Sequence, residues 1–276
     1  MPNIKHGGWL TILFLTLLTA SAAQSQYPPL YVFTGEAVDD MFGYSVSGAG
    51  DVNNDGFADL IVGAFQNDAG GNEAGRAYVY SGRTGGLLHT FTGEAVGDVF
   101  GGSVSGAGDV NNDGFADLIV GAFNNDAGGN SAGRAYVYSG QTGALLHTFT
   151  AEAADDWFGV SVSGAGDVNN DGFADLIVGA WTNDAGGSDA GRAYVYSGQT
   201  GTLLHTFTGE AASDVFGFSV SGAGDVNNDG FADLIVGAIL NDAGGSDAGP
   251  GRMSTPTCAV TWPVTPTTTA RSISPT

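Results

Sequence analysis

The chain has 276 residues, of which 29 are acidic, 7 basic and 47 glycine, giving a formal net charge of −22. That excess argues against nucleic acid or an anionic lipid surface as a partner and favours cations. A single cysteine, Cys258, excludes a disulfide framework, so rigidity must have another source.

In chain order, residues 1–23 read as a secretory signal peptide. Lys5 supplies the positive end, Trp9 to Ala20 form an apolar core, and small residues before Ala22 and Ala23 suit cleavage. The apolar run is shorter than the roughly 20 residues that a spanning helix needs. The expected location is therefore secreted, extracellular or at the cell surface, with the periplasm also open, and with no membrane insertion after cleavage.

The repeats occupy residues 24–249. The fourteen residues from Asp51, DVNNDGFADLIVGA, recur from Asp109, Asp167 and Asp225, a fixed period of 58 residues. A period of this size means a propeller, solenoid or array. Within one unit, GYSVSGAG alternates with period two, and an Asp-rich loop follows. DLIVGA is then a short run apolar on both faces, as in a strand held between layers. RAYVYSG alternates again, and LLHTFTGE is a fourth strand. No stretch has helical periodicity. Four antiparallel strands make a small sheet that cannot bury both faces alone, and radial stacking against its neighbours solves this. The expected fold is an all-β propeller of four-stranded antiparallel blades, with a stacked solenoid as the alternative. Units 41–98, 99–156 and 157–214 are complete, and 215–249 is partial. Residues 30–40 align with the fourth strand of a unit, so they are expected as an orphan outer strand that completes a last blade.

The Asp-rich loop has the pattern of a cation site. Oxygen donors recur at alternate residues, glycine at the sixth position permits a sharp bend, and the seventh residue offers its carbonyl. The candidate ligands are Asp51, Asn53, Asp55, Phe57 and Asp59 in the first loop and Asp109, Asn111, Asp113, Phe115 and Asp117 in the second. The third has Asp167, Asn169, Asp171, Phe173 and Asp175, and the fourth has Asp225, Asn227, Asp229, Phe231 and Asp233. An all-oxygen set without His or Cys favours Ca²⁺, up to four ions, over zinc, copper or Mg²⁺. A plain polar turn would need only two such residues.

Each unit also carries Phe-Gly before this loop (Phe42-Gly43, Phe100-Gly101, Phe158-Gly159, Phe216-Gly217) and Gly-Ala after it (Gly63-Ala64, Gly121-Ala122, Gly179-Ala180, Gly237-Ala238). Over about residues 30–249 the chain resembles the FG-GAP repeats of the integrin α-subunit β-propeller and its bacterial relatives. The resemblance implies a seven-bladed propeller, calcium loops between the first two strands of a blade, and adhesion or ligand binding outside the cell. The proline of the family's name is replaced by Phe65, Phe123, Trp181 or Ile239, and three complete units fall short of seven blades.

No asymmetric constellation of nucleophile and base is visible. His89, His147 and His205 recur at equivalent strand positions, as do Arg76, Arg134 and Arg192, which are expected to pair with a carboxylate of a neighbouring blade. The chain is therefore expected not to be an enzyme and to have an extracellular protein or glycan ligand. Ligand contacts are expected where units differ; Trp157 and Trp181 stand at such positions and suit either a binding surface or core packing. Two alternatives stand beside this reading: the propeller part of a larger secreted hydrolase or lyase, or a truncated product without function. Both connect to residues 250–276, which break the repeat. In a shifted reading frame, Arg252 to Pro256 can encode Tyr-Val-Tyr-Ser, and Pro263 to Ser274 another Asp-rich loop. The tail is therefore expected to be frameshifted rather than a genuine Thr/Pro-rich stalk.

Overall fold

The computed structural model describes residues 30–241 and 257–261. The expected signal peptide and most of the tail lie outside these residues. The chain divides into residues 1–33 and residues 34–276, and every strand among the described residues belongs to the second unit.

The described residues form strands and turns without a helix. Three complete blades run β1 (Phe42–Gly50), β2 (Asp59–Ala64), β3 (Arg76–Tyr80) and β4 (Leu87–Thr92); β5 (Ser103–Gly108), β6 (Asp117–Ala122), β7 (Arg134–Tyr138) and β8 (Leu145–Thr150); and β9 (Ser161–Gly166), β10 (Asp175–Ala180), β11 (Arg192–Tyr196) and β12 (Leu203–Thr208). Each is an antiparallel meander in chain order. The fourth sheet holds β13 (Phe216–Gly224), β14 (Asp233–Ala238) and β15 (Thr257–Thr261).

The sequence places hydrophobic side chains on both faces of each second strand, and the packing uses both. Leu118 and Val120 of β6 face the first blade, where they meet Ile61 and Val79; Ile119 faces the third, where it meets Leu176 and Val178. The core is thus a series of seams between successive sheets, as radial stacking requires. Phe100 and Phe158 of the Phe-Gly pairs are almost fully buried in these seams. Parallel bridges Gly75–Phe100, Gly133–Phe158 and Gly191–Phe216 tie each blade to the next. The glycine of Gly-Ala is dictated by the same contact. A Cβ on Gly121 would collide with the carbonyl oxygen of Gly159, and Gly63 and Gly179 face Gly101 and Gly217 in the same way.

Two expectations need correction. Residues 30–40 form no strand; they are coil and turn until β1 begins. β3, β7 and β11 each already pair with the fourth strand of their own blade, and β15 stands at the edge of the fourth sheet without residues 30–40 beside it. Second, the fourth unit does not stop after two strands. The backbone of Thr257–Thr261 pairs with β14 in the register Leu234↔Thr261 and Ala238↔Thr257, matching Leu60↔Tyr80 and Ala64↔Arg76 in the first blade. An open strand edge accepts any extended segment, because the ladder is made by backbone groups.

Candidate functional site

Each Asp-rich loop joins the first and second strands of its blade. In the first blade the β1–β2 register shifts between Gly48 and Gly50, and Gly50 takes a φ of +75°, which turns the chain out of the sheet. Asn54 (φ 55) and Gly56 (φ 86) complete the bend. Asn tolerates this left-handed backbone better than most residues, and glycine does so freely.

Alternate side chains then turn inward. In the second blade Asp109 Oδ1 accepts the N–H of Asp113 (3.0 Å) and its Oδ2 that of Gly114 (2.9 Å). Asn111 Oδ1 also accepts the N–H of Asp113 (2.9 Å), and Asp113 Oδ1 accepts that of Phe115 (2.9 Å). The same four bonds recur around Asp51, Asn53 and Asp55, around Asp167, Asn169 and Asp171, and around Asp225, Asn227 and Asp229. The first, third and fifth positions are therefore brought together, with their oxygens on the loop interior.

The ninth position makes a different set of hydrogen bonds. Asp117 is fully buried; one oxygen accepts the N–H of Val110 (2.9 Å) and the other that of Gly140 in the β7–β8 turn (3.0 Å). Asp59 and Asp175 hold Val52 with Gly82, and Val168 with Gly198, in the same way. Asp233 accepts the N–H of Val226. This residue latches the loop to its own sheet. Phe57, Phe115, Phe173 and Phe231 donate their N–H groups inward, and Phe57 stays half exposed under the guanidinium of Arg83. Among the described residues, no three Asp, Glu, His or Cys groups converge as a metal-binding cluster. The carboxylates are directed onto backbone N–H groups.

Burial works against the charged form of the ninth-position carboxyl in the first three loops. Burial pushes the carboxyl of Asp117 up to about 6 against the lowering effect of the Gly140 and Val110 hydrogen bonds, and Asp113 and Asp109 raise it further. Asp175 is pushed up to about 6 by burial in the same setting, and Asp59 upward. An oxygen-only donor set with clustered, partly desolvated negative charge is chemically suited to a hard divalent cation.

Arg134 and Arg192 join blades, as the sequence reading expected, whereas the partner of Arg76 lies in the coil before the first blade. Arg134 Nη1 lies 2.9 Å from Glu94 Oε2, an acid contributed by the preceding unit, and Arg192 lies 2.7 Å from Glu152. Arg76 pairs with Glu36 at 2.8 Å. His89 Nε2 is 2.6 Å from the carbonyl oxygen of Gly140, and His147 Nε2 is 2.7 Å from that of Gly198. A carbonyl only accepts, so Nε2 carries the proton in both.

Two features escaped the sequence reading. Asp98, Asp156 and Asp214 are buried, and each caps its own turn by accepting the N–H of Ala95, Ala153 or Ala211. They also hydrogen-bond Asn125, Asn183 and Asn241 in turn. The 27-residue separation hid these pairs, although the repetition of both partners was visible. The second feature is an aromatic row. Trp157 and Trp181 meet edge to face at 5.3 Å, Phe123 lies 5.8 Å from Trp157, and Phe218 lies 5.6 Å from Trp181. The tryptophans stand at positions where units differ, as expected, but Phe123 and Phe218 were not recognised as extending them. Beside Trp157 is a cleft of about 520 Å³ walled by Glu152, Asp155, Asp156, Asp184 and Asp189. It lies at the end of the blades away from the Asp-rich loops, because it follows the second strand rather than preceding it.

A family model described as FG-GAP repeat matches residues 42–80 and 100–138, and one described as FG-GAP-like repeat matches residues 167–236. The chain belongs to the FG-GAP repeat family. Among curated relatives, this FG-GAP repeat protein is 33% identical to integrin alpha-5 of Xenopus laevis over 209 residues, covering 69% of the chain and 19% of that protein. It is 30% identical to integrin alpha-4 of Xenopus laevis over 251 residues (85% of the chain, 23% of that protein) and 32% identical to integrin alpha-V of Gallus gallus over 223 (74% and 20%). The chain thus spans about a fifth of the length of these relatives. No helix among the described residues is long and apolar enough to cross a membrane.

Proposed function

We propose that this FG-GAP repeat chain is a secreted, calcium-binding propeller module that holds an extracellular protein or glycan ligand and performs no chemistry of its own. The observation that carries the proposal is the inward aim of the side-chain oxygens at the first, third and fifth positions in all four loops. Asp51, Asn53 and Asp55 and their counterparts would hold the ion. Asp59, Asp117, Asp175 and Asp233 would fix each loop to its sheet. A bound cation would neutralise the clustered carboxylates and cross-link the two strands, supplying the rigidity that disulfides give other secreted proteins. The similarity to integrin α subunits supports an adhesive or ligand-binding role. The aromatic row and the acidic cleft beside it are where a ligand would rest, because partly exposed aromatic rings on a rigid scaffold are favourable binding anchors.

The test is calcium titration of the full chain by calorimetry, with the unfolding midpoint followed in parallel. Extracellular sites of this kind bind on the order of 10⁻⁴–10⁻³ M. At ten times the dissociation constant, each filled site adds about 1.4 kcal/mol of stability. Asp113→Asn removes one carboxylate and is expected to lower the calcium stoichiometry by one while leaving the β-sheet signal intact. Absence of binding heat together with an unfolding midpoint indifferent to millimolar-range calcium would overturn the proposal.

A further inference from the structure

The seam between blades is built three times from the same residues, and its two halves recur uncovered on the first and fourth sheets. Val104, Val162 and Val220 are 4%, 5% and 6% exposed because each lies against the preceding blade; Val46, their counterpart in the first blade, is 65% exposed. Leu118 and Leu176 are fully buried, whereas Leu60 is 37% exposed. The fourth sheet carries the complementary face. Ile61, Ile119 and Ile177 are fully buried, but Ile235 is only partly so, and Ser219 is exposed where Ser45, Ser103 and Ser161 are half-buried.

We propose that a second copy of this chain covers both faces, its first blade seated head to tail on the fourth sheet of its partner and the reverse. The internal seams specify the register. Val104 N–H donates to Ser45 Oγ (3.0 Å), Val162 N–H to Ser103 Oγ (3.1 Å) and Val220 N–H to Ser161 Oγ (3.0 Å). In the intermolecular seam the N–H of Val46 donates to Ser219 Oγ of a second copy. The N–H groups of Ala116, Ala174 and Ala232 donate to the carbonyls of Asp51, Asp109 and Asp167, and the N–H of Ala58 correspondingly meets the carbonyl of Asp225.

Glycine placement marks the same complementarity. Gly121 and Gly179 are each pressed against the carbonyl of the following blade's Phe-Gly glycine, while a Cβ on Gly237 would meet nothing nearer than 3.7 Å. Gly43, the Phe-Gly glycine of the first blade, is the piece that fits there. A heterologous contact of this kind closes into a ring when the rotation per subunit permits and otherwise extends as a filament. The described residues of each chain form four sheets, so two copies bring eight, within the four to eight blades of closed propellers. The closed dimer also covers the two seam faces left bare among the described residues.

The experiment is sedimentation velocity on the full chain and on Val46→Asp and Ser219→Glu, with circular dichroism to establish that each is folded. Both positions are exposed within one copy, so neither substitution disturbs an internal seam; Leu60→Lys replaces Val46→Asp if that variant loses its β signal. The unaltered chain is expected to sediment as a dimer and each variant alone as a monomer. An equimolar mixture of the two variants is expected to recover dimer, because one of the two seams then carries neither substitution. A folded monomer for the unaltered chain, polymers beyond the dimer, a variant that still dimerises alone, or a mixture that stays monomeric would each overturn the proposal.

Discussion

Gly121 and Gly237 occupy the same place in identical DLIVGA strands, yet alanine is expected to destabilise the chain at the first position and not at the second. Neither glycine takes a left-handed backbone, so alanine is conformationally allowed at both. At Gly121 the added Cβ collides with the carbonyl of Gly159. The obstacle is backbone rather than a side-chain end that can rotate away, so the cost belongs at the upper end of overpacking, about 3 kcal/mol. Reduced freedom of the unfolded chain offsets about 0.5–1 kcal/mol of this. The net loss of about 2 kcal/mol lowers the unfolding midpoint by about 4–8 °C in a domain of this size. At Gly237 the nearest atom is 3.7 Å away, so only the unfolded-state term remains, a gain of about 0.5 kcal/mol or a neutral change. The assay is thermal unfolding followed by circular dichroism, with both substitutions made in the Val46→Asp background so that the fourth sheet stays uncovered. Equal shifts for the two variants, or a Gly121→Ala midpoint indistinguishable from its parent, would refute the seam packing from which the numbers come.

Three further outcomes are expected from the interactions between units. Arg134→Ala removes an ion pair whose partners are 24% and 52% exposed, so it is expected to cost under about 1 kcal/mol and to shift the unfolding midpoint only slightly. Asn125→Ala is expected to cost about 1–3 kcal/mol by denaturant unfolding, because it deprives the buried Asp98 of a donor and the Ala127 N–H of its acceptor. His205 has its pKa lowered by burial, so the folded chain resists its protonation. The stability tied to its neutral form is complete above the unfolded value of about 6.5 and is lost as pH falls through that value toward the lowered one. His205→Gln is expected to flatten this part of a plot of unfolding midpoint against pH, and an unchanged slope would exclude the histidine as its source.

The strand order within a blade was legible in the sequence because a meander needs only local turns, and because alternation fixes which side chains share a face. DLIVGA announced a strand covered on both sides by being apolar at every second and every intervening position. The inward turn of Asp109, Asn111 and Asp113 followed from residue type and spacing, since Asn and Asp bond the backbone two to five residues on. What the sequence could not disclose was context. Val46 and Val104 have the same neighbours in the chain, as do Gly121 and Gly237, but their environments depend on whether another sheet stands against them. The Asp98–Asn125 pair and the row from Phe123 to Phe218 likewise arise only when units are stacked. The β-strand made by Thr257–Thr261 depends on an open backbone edge rather than on its own repeat signal. Repetition determines what each blade is, because folding within a unit rests on contacts close in sequence. Tertiary structure decides which copies are buried and which are left bare, because a seam needs a neighbour on each side.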